Sequence, residues 1–322
     1  MNDDLMRILS KVTDEESAIL KDQKLNKTIY TNRKGFTIDK EKMLERGKLI
    51  ALRPHTRFIK FPRHCHNYIE IMYVCSGSIT HIIDGRQTVL LEQGELLFLN
   101  RHAFHEIEKA GQNDIAVNFI VLPQFFDTAY EMIDGNNILS QFIADNLRST
   151  CSSLNYLHFK VSGVPPVQNL VENLVYNIIN KTPNRKNINQ VTMGLLFLHL
   201  LNQTERIDLP VSPDYDNKLI IAILREVEEN YQTASLTALS EELNQSVSLL
   251  SKLVSQTTGR TFKQILQEKR FSMALRLLLS TKLSVSAIAS YIGYENTSYF
   301  HRRFSELYNM SPAKYRELHD NK

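Results

Sequence analysis

The chain has 322 residues, 43% of them hydrophobic and 23% charged, with 38 Lys and Arg against 35 Asp and Glu for a formal net charge of +3. That length predicts two or three domains with substantial cores, and that balance excludes a disordered chain. The longest apolar runs, such as Gly194–Leu201, fall far short of a membrane span, and Asp3, Asp4 and Arg7 within the first eleven residues exclude a secretory signal. Cys65, Cys75 and Cys151 form no CxxC pair, which argues against a disulfide framework or a zinc finger. A cytoplasmic protein with no membrane partner is expected.

In chain order, Met1 to about Glu45 reads as a polar helical extension. Leu5, Ile8, Leu9 and Val12 share one helix face, and Thr13 with Glu16 has the form of a capping box. From Gly47 to Leu122 the texture becomes short β-branched and aromatic runs: Ile69–Val74, Ile79–Ile83, Thr88–Leu91, Leu96–Leu99 and Ala116–Leu122. Asp84-Gly85 between two of them is a hairpin signal, and the spacing predicts a small antiparallel barrel or sandwich. A helical period returns from Pro123 to Arg206, with Leu170, Leu174, Val175 and Ile178 on one stripe and Leu195, Leu198, His199 and Asn202 on another helix. Ile207 to Asn217, with two prolines and three aspartates, reads as a linker. From Lys218 onward helices are predicted to begin near Lys218, Leu236, Ser248, Phe262, Val285, Thr297 and Pro312. The basic excess lies here: residues 217–322 hold 14 Lys and Arg against 10 Asp and Glu, a mild pointer to nucleic acid.

Near the end, Val285, Ile288, Ala289 and Ile292 form one apolar helix face. Gly293 follows, and then Phe300, Phe304 and Leu307 form another. Helix, glycine turn, helix is the helix-turn-helix pattern. The second helix turns Thr297, Ser298, His301, Arg302 and Arg303 outward, side chains suited to base edges and phosphates. The same arrangement occurs earlier. Leu236, Leu239 and Leu243 are followed by Leu250, Leu253 and Val254, with Ser248, Ser251, Lys252 and Ser255 outward. A connecting helix from Phe262 to about Leu279 would be roughly 27 Å long at ~1.5 Å per residue. That is close to one turn of B-DNA, about 34 Å, so two recognition helices could enter successive major grooves.

The run Ile288-Ala289, Ile292-Gly293-Tyr294-Glu295-Asn296-Thr297-Ser298-Tyr299-Phe300-His301-Arg302-Arg303-Phe304 and Ser311-Pro312-Ala313-Lys314-Tyr315-Arg316 resembles the AraC/XylS family of bacterial transcription regulators. The resemblance spans about Lys218 to Leu318. It implies that Ser248, Ser251, Lys252, Thr297, Ser298 and Arg302 contact bases in double-stranded DNA. Arg303 and the helix start at Ser311 suit phosphates better. Asn309 stands where the family usually has Gly, and Ser240 where it usually has Ala.

In the barrel region, His64-Cys65-His66-Asn67-Tyr68-Ile69-Glu70 is followed after six residues by Gly77, and later by Gly94 and His105. Strand alternation places His64, His66 and Glu70 on one face and Cys65 on the other. This order resembles the two motifs of the cupin barrel, with Glu92 where Pro is usual. In metal cupins the positions matching His64, His66, Glu70 and His105 hold a divalent transition metal. In barrels joined to this type of DNA-binding domain such residues often serve an effector pocket. The alternative from the residues themselves is a structural polar interior. His81, His102 and Tyr73 either line a pocket or lie on the surface. GxSxG, P-loop, GxGxxG and HExxH motifs are all missing, so no enzyme and no cofactor are expected.

The expected fold is multidomain α+β. It comprises a helical extension (1–46), a cupin-like antiparallel β-barrel that senses a small-molecule effector (47–125), a helical coupling or dimerising segment (126–207), a linker (208–216) and an all-α domain with two helix-turn-helix units (217–322). Resemblance implies an activator that works with RNA polymerase, a homodimer, and sugars among the effectors. The other readings are a metal-dependent cupin enzyme fused to a DNA-binding domain, and a regulator that needs no ligand.

Overall fold

The computed structural model describes residues 1–22, 24–32, 35–101, 103–126, 155–203, 206–208 and 215–319. His102, Cys151, most of the expected linker and the first part of the expected coupling segment lie outside the described residues. The described residues fall into two compact units, one within Met1–Tyr215 and one within Asp216–Lys322.

The first unit opens with helices α1 (Asp3–Leu9) and α2 (Asp14–Asp22). The Thr13–Glu16 capping box forms: Glu16 N donates to Thr13 Oγ1 at 3.2 Å, and Thr13 N donates to Glu16 Oε2 at 2.8 Å. The same carboxylate is buried against Arg57, whose Nε donates to Oε1 at 2.7 Å and whose Nη2 donates to Oε2 at 3.0 Å. Arg57 also donates to the carbonyls of Ser10, Lys11 and Gln112. One guanidinium thus ties the end of α1, the start of α2 and a barrel loop together. Burial by itself would raise the Glu16 pKa, but its hydrogen bonds to Arg57 outweigh that and lower it.

The extension is not purely helical, as the polar helical pattern had suggested. Strand β1 (Thr37–Ile38) runs parallel to β3 (Phe61–His66), pairing Ile38 with His66, and a short helix α3 (Lys40–Met43) follows. A two-residue strand is too short to show a period, so no sequence signal marked it. Beyond β2 (Ile50–Pro54) come β4 (Ile69–Ser76), β5 (Ser78–Ile83), β6 (Gln87–Glu92), β7 (Leu96–Leu99), β8 (His105–Ile107) and β9 (Ile115–Val121). The turn at Asp84-Gly85 joins β5 and β6, and both residues take positive φ, 53° and 66°. Two further strands, β10 (Tyr156–Phe159) and β11 (Ile207–Asp208), lie where helix and linker were expected. Pairing with β7 holds β10 in place, and β11 in turn pairs with β10, so tertiary contact decides against the local pattern.

The strands form a five-stranded sheet in the order β1-β3-β8-β5-β6 and a six-stranded sheet in the order β11-β10-β7-β4-β9-β2. Their inner faces share a core that includes Tyr30, Phe61, Tyr68, Met72, Leu97, Leu99, Ile107 and Ile120. On β4 alternate residues point outward, and Tyr73 is one of them. Its hydroxyl donates to Gln168 of α4 (Pro165–Ile179) at 2.6 Å. Helix α5 (Arg185–Leu201) packs beside α4. The buried stripe of α4 is Val167, Val171, Leu174 and Val175, so the expected stripe is rotated: Leu170 and Ile178 are only half-buried.

The second unit contains the seven expected helices: α6 (Tyr215–Glu229), α7 (Leu236–Glu242), α8 (Val247–Thr258), α9 (Phe262–Ser280), α10 (Val285–Tyr291), α11 (Thr297–Tyr308) and α12 (Pro312–His319). Side-chain oxygens cap six of them: Ser235, Ser246, Thr261, Ser284, Asn296 and Ser311 accept from the first turns of α7 to α12. No helix among the described residues is long and apolar enough to cross a membrane.

Two substitutions test these supports. Arg57→Ala strands the Glu16 carboxylate, and urea unfolding should register a loss of about 3–5 kcal/mol. Because folding lowers the Glu16 pKa, the pair contributes fully above the ordinary carboxylate range and fades as acid titrates Glu16 below it. The difference between wild type and variant should therefore shrink at low pH. Gly293 has φ +89°, and an added Cβ would sit 2.3 Å from Gln232 O. Gly293→Ala should destabilise the second unit by more than about 1 kcal/mol in thermal unfolding.

Candidate nucleic-acid interface and barrel centre

The second helix-turn-helix unit is built on an aromatic interior. Phe271 of α9 stacks on Phe300 of α11 with ring centroids 5.6 Å apart and planes 15° apart, and Phe304 lies 4.6 Å from Tyr308. Ile288, Ala289 and Ile292 of α10 join this core. The inner face of α11 is therefore Phe300, Phe304 and Tyr308. Leu307, expected there, is 49% exposed, because the i, i+4, i+8 row faces α9. Gly293 makes the turn, and Arg270 donates to the carbonyls of Tyr231 and Gln232 beside it. Asn309 takes the left-handed conformation, φ 55°, that ends α11 without a glycine. Arg316 Nε donates to Leu278 O at 2.9 Å and so fixes α12 to the end of α9.

With that face buried, Ser298 and Arg302 stand exposed, and Thr297 and His301 are half-buried. Arg302 lies over the Tyr299 ring, 5.4 Å from its centroid. Arg303 is partly engaged, bonding Glu306 and donating to Gln267 Oε1 at 3.2 Å. The Ser311 hydroxyl accepts from Lys314 N at the start of α12. In the first unit Leu250, Leu253 and Val254 are buried, Ser248 and Lys252 are exposed, and Ser251 is half-buried. Ser255 bonds back to Ser251 O at 2.9 Å, which removes it from the outward set. Ser240 is accommodated in the same way, donating to Thr237 O at 2.7 Å. Helix α9, 19 residues, spans about 28 Å between the two units. Pattern reading missed Lys263 and Thr261: they share an open basin with Tyr299, Arg302 and Arg303, at the N-terminal end of α9, where the helix dipole favours anions.

The other cluster lies between the two sheets. His64 and His66 on β3, His105 on β8 and His81 on β5 come from one sheet, and Glu70 on β4 comes from the other. All five are at least 97% buried. The possible ligand atoms of His64, His66 and His105 lie within 4.8 Å of one another, and His66 Nε2 is 3.2 Å from Glu70 Oε2. His64 Nδ1 donates to Pro62 O at 2.8 Å, which turns its Nε2 lone pair to the cluster. The Nδ1 atoms of His66 and His105 lack a hydrogen-bond partner, and the Nε2 atoms of both rings face Glu70 Oε2 at 3.2 and 3.6 Å. Burial lowers His64 and His81 to about 3 and His105 well below its ordinary value, so these rings are neutral at pH 7. Burial would raise Glu70, but the imidazoles, His66 first, outweigh it and bring the carboxyl to about 2. Neutral imidazoles around a carboxylate, with unspent lone pairs, fit a divalent transition metal.

Of the weaker candidates, His81 belongs to this cluster, with its ring 5.2 Å from that of His105, whereas Tyr73 faces α4. Cys65 points away as expected and meets Thr37 Oγ1 at 3.4 Å. His55 is a buried neighbour that strand alternation could not place. A cavity of about 30 Å³ reaches His64 and Glu70 beside Arg53, Tyr68 and Asn118. That volume suits an ion and is far below the roughly 300–1,000 Å³ of small-molecule pockets.

Comparison with known proteins bears on both units. Residues 47–132 match the AraC-like ligand binding domain, and residues 239–318 match a helix-turn-helix domain family. The HTH-type transcriptional activator RhaR of Escherichia coli K12 is 23% identical over 266 residues, covering 81% of this chain and 89% of that protein; RhaR of Shigella flexneri gives the same figures. Among solved structures, an apo ToxT variant from Vibrio cholerae covers 86% of this chain and all of its own at 13% identity and a TM-score of 0.38. The C-terminal domain of the response regulator YesN from Fusobacterium nucleatum covers 31% of this chain and 98% of its own at 34% identity and a TM-score of 0.30. Fold, site and sequence together define a DNA-binding transcription regulator with a ligand-binding domain. The chain belongs to the AraC/XylS family.

Proposed function

We propose that the protein is an effector-responsive transcription activator that acts in the cytoplasm and reads two successive major grooves through α8 and α11. The observation that carries this reading is the pair of helix-turn-helix units with polar outward faces on either side of one rigid 19-residue helix. Ser248, Ser251, Lys252, Thr297, Ser298 and Arg302 then meet base edges, and Arg303 and Ser311 meet phosphates. The exposed apolar residues Tyr176, Ile188, Val191 and Leu195 on α4 and α5 support a homodimer through this helix pair. Recruitment of RNA polymerase follows from the activator role. A ligand switches output only by binding one state of the protein better than the other.

The second reading concerns the barrel centre. Buried lone pairs without partners and a cavity of about 30 Å³ favour a divalent metal ion over a sugar at His64, His66, Glu70 and His105. These residues would hold the ion, and it would supply a fixed charge that locks the two sheets together.

DNA selection with the purified full-length protein tests the first reading. A bipartite site with elements one helical turn apart is the expected result. Arg302→Ala should weaken that site by about 1–3 kcal/mol and relax discrimination at one position. Equal loss on every sequence would make Arg302 a phosphate contact, and no enriched site with either the full chain or residues 217–322 would sink the reading. Elemental analysis of protein purified without chelator tests the second. About one transition-metal ion per chain is expected, lost in His66→Ala and with a lower melting temperature after chelation. A metal content that His66→Ala leaves unchanged counts against it.

A further inference from the structure

A separate cavity lies outside the barrel, between β2 with the segment before it and helices α4 and α5. Its volume is about 420 Å³, within the usual size of a small-molecule site. Leu52, Phe125 and Ile178 give it an apolar lining. Lys48, Lys181, Arg185 and Lys186 line the same cavity, with Glu45 as their carboxylate counterpart. Glu45 bonds Lys48, and that bond lowers its pKa, with Lys181 and Arg185 adding smaller pulls. Among the described residues, no ion pair engages Lys181, Arg185 or Lys186.

The local backbone sharpens the imbalance. Arg185 and Lys186 occupy the first turn of α5, where the helix dipole repels cations, and no acidic residue offsets them there. Asn184, in a left-handed conformation at φ 58°, gives that helix end no side-chain cap. Unfavourable charge at an uncapped helix start is stabilised when an anion sits against it. A second observation is independent of charge. Asn189, 2% exposed, lines the cavity, and its Oδ1 has no hydrogen-bond partner. A buried acceptor without a donor is unfavourable, and a donor on a bound molecule would relieve it.

We propose that this cavity binds an amphipathic organic acid: its carboxylate against Lys181, Arg185 and Lys186, its apolar body on Leu52, Phe125 and Ile178, and a hydroxyl donating to Asn189. The role of this acid as the effector rests on the regulator reading above, whereas the binding itself does not.

Isothermal titration of the full-length protein compares 3-hydroxydecanoate, below its micelle concentration, with the neutral 1,3-decanediol. Saturable binding of one acid per chain, at least tenfold tighter than the diol, is expected. The double variant Lys181→Gln/Arg185→Gln should lose at least tenfold in acid affinity, with diol binding and circular dichroism unchanged. Asn189→Leu should weaken acid and diol together. Equal binding of acid and diol, no saturation at millimolar concentration, or displacement by inorganic phosphate at equal concentration overturns the proposal. DNA affinity measured on the same preparations separates the two failures: intact site-specific DNA binding without acid binding removes the cavity assignment and leaves the regulator standing.

Discussion

The buried pairing of Glu16 with Arg57 is the constraint on which the amino-terminal unit rests. A guanidinium that is 3% exposed must spend its donors inside the protein, and it does so on the start of α2, the carbonyls ending α1 and the carbonyl of Gln112. The two amino-terminal helices are thereby held to the barrel. That fixes the path of the chain to Tyr30 and Ile38, and Ile38 pairs across from His66. Tyr30, Ile38 and Phe61 then line the small cavity that reaches His64 and Glu70.

Dryness decides the chemistry of that cluster. Four imidazoles in water would share protons freely at neutral pH. Buried between two sheets, His64, His81 and His105 stay neutral, and the carboxylate of Glu70 is the charge the cluster surrounds. A site of this kind has lone pairs to offer and little volume. The cavity over α5 has the opposite character, with ample volume, a partly apolar lining and four cations against the single carboxylate of Glu45. The first unit thus carries one centre suited to an ion and another suited to an organic anion.

Much of this was legible in the sequence, for physical reasons that differ from element to element. The second helix-turn-helix unit could be read almost to the residue, because its core is local: Ile288, Ala289, Ile292, Phe300 and Phe304 lie within one short stretch and repeat at helical spacing. Thr13 and Glu16 were readable for the same reason. Leu307 was misplaced because an apolar residue at the helical spacing is not thereby on the buried row; the aromatic Tyr308 took that row. Strands β1 and β10 were missed because each is held by a partner far away in sequence. Strand alternation grouped His64 with His66, but Glu70 reaches them from β4 of the facing sheet and not along the same strand, and the inclusion of His81 depended on how the strands pair.

The DNA-binding unit separates stability from recognition more completely than the amino-terminal unit does. Its fold is specified by the caps at Ser235, Ser246, Thr261, Ser284, Asn296 and Ser311, by the glycine at 293 pressed against the Gln232 carbonyl, and by the aromatic column around Phe271. Of the residues assigned to bases, none belongs to that core, and Ser248, Lys252, Ser298 and Arg302 are exposed. Surface changes of this kind usually alter stability by less than about 0.5 kcal/mol. The outward faces of α8 and α11 are therefore free to change without disturbing the scaffold, as the proposed role in reading DNA requires. The motif that makes the family recognisable mixes a buried core, Ile288, Ala289, Ile292, Phe300 and Phe304, with exposed positions such as Ser298 and Arg302, and only the buried part is constrained by packing.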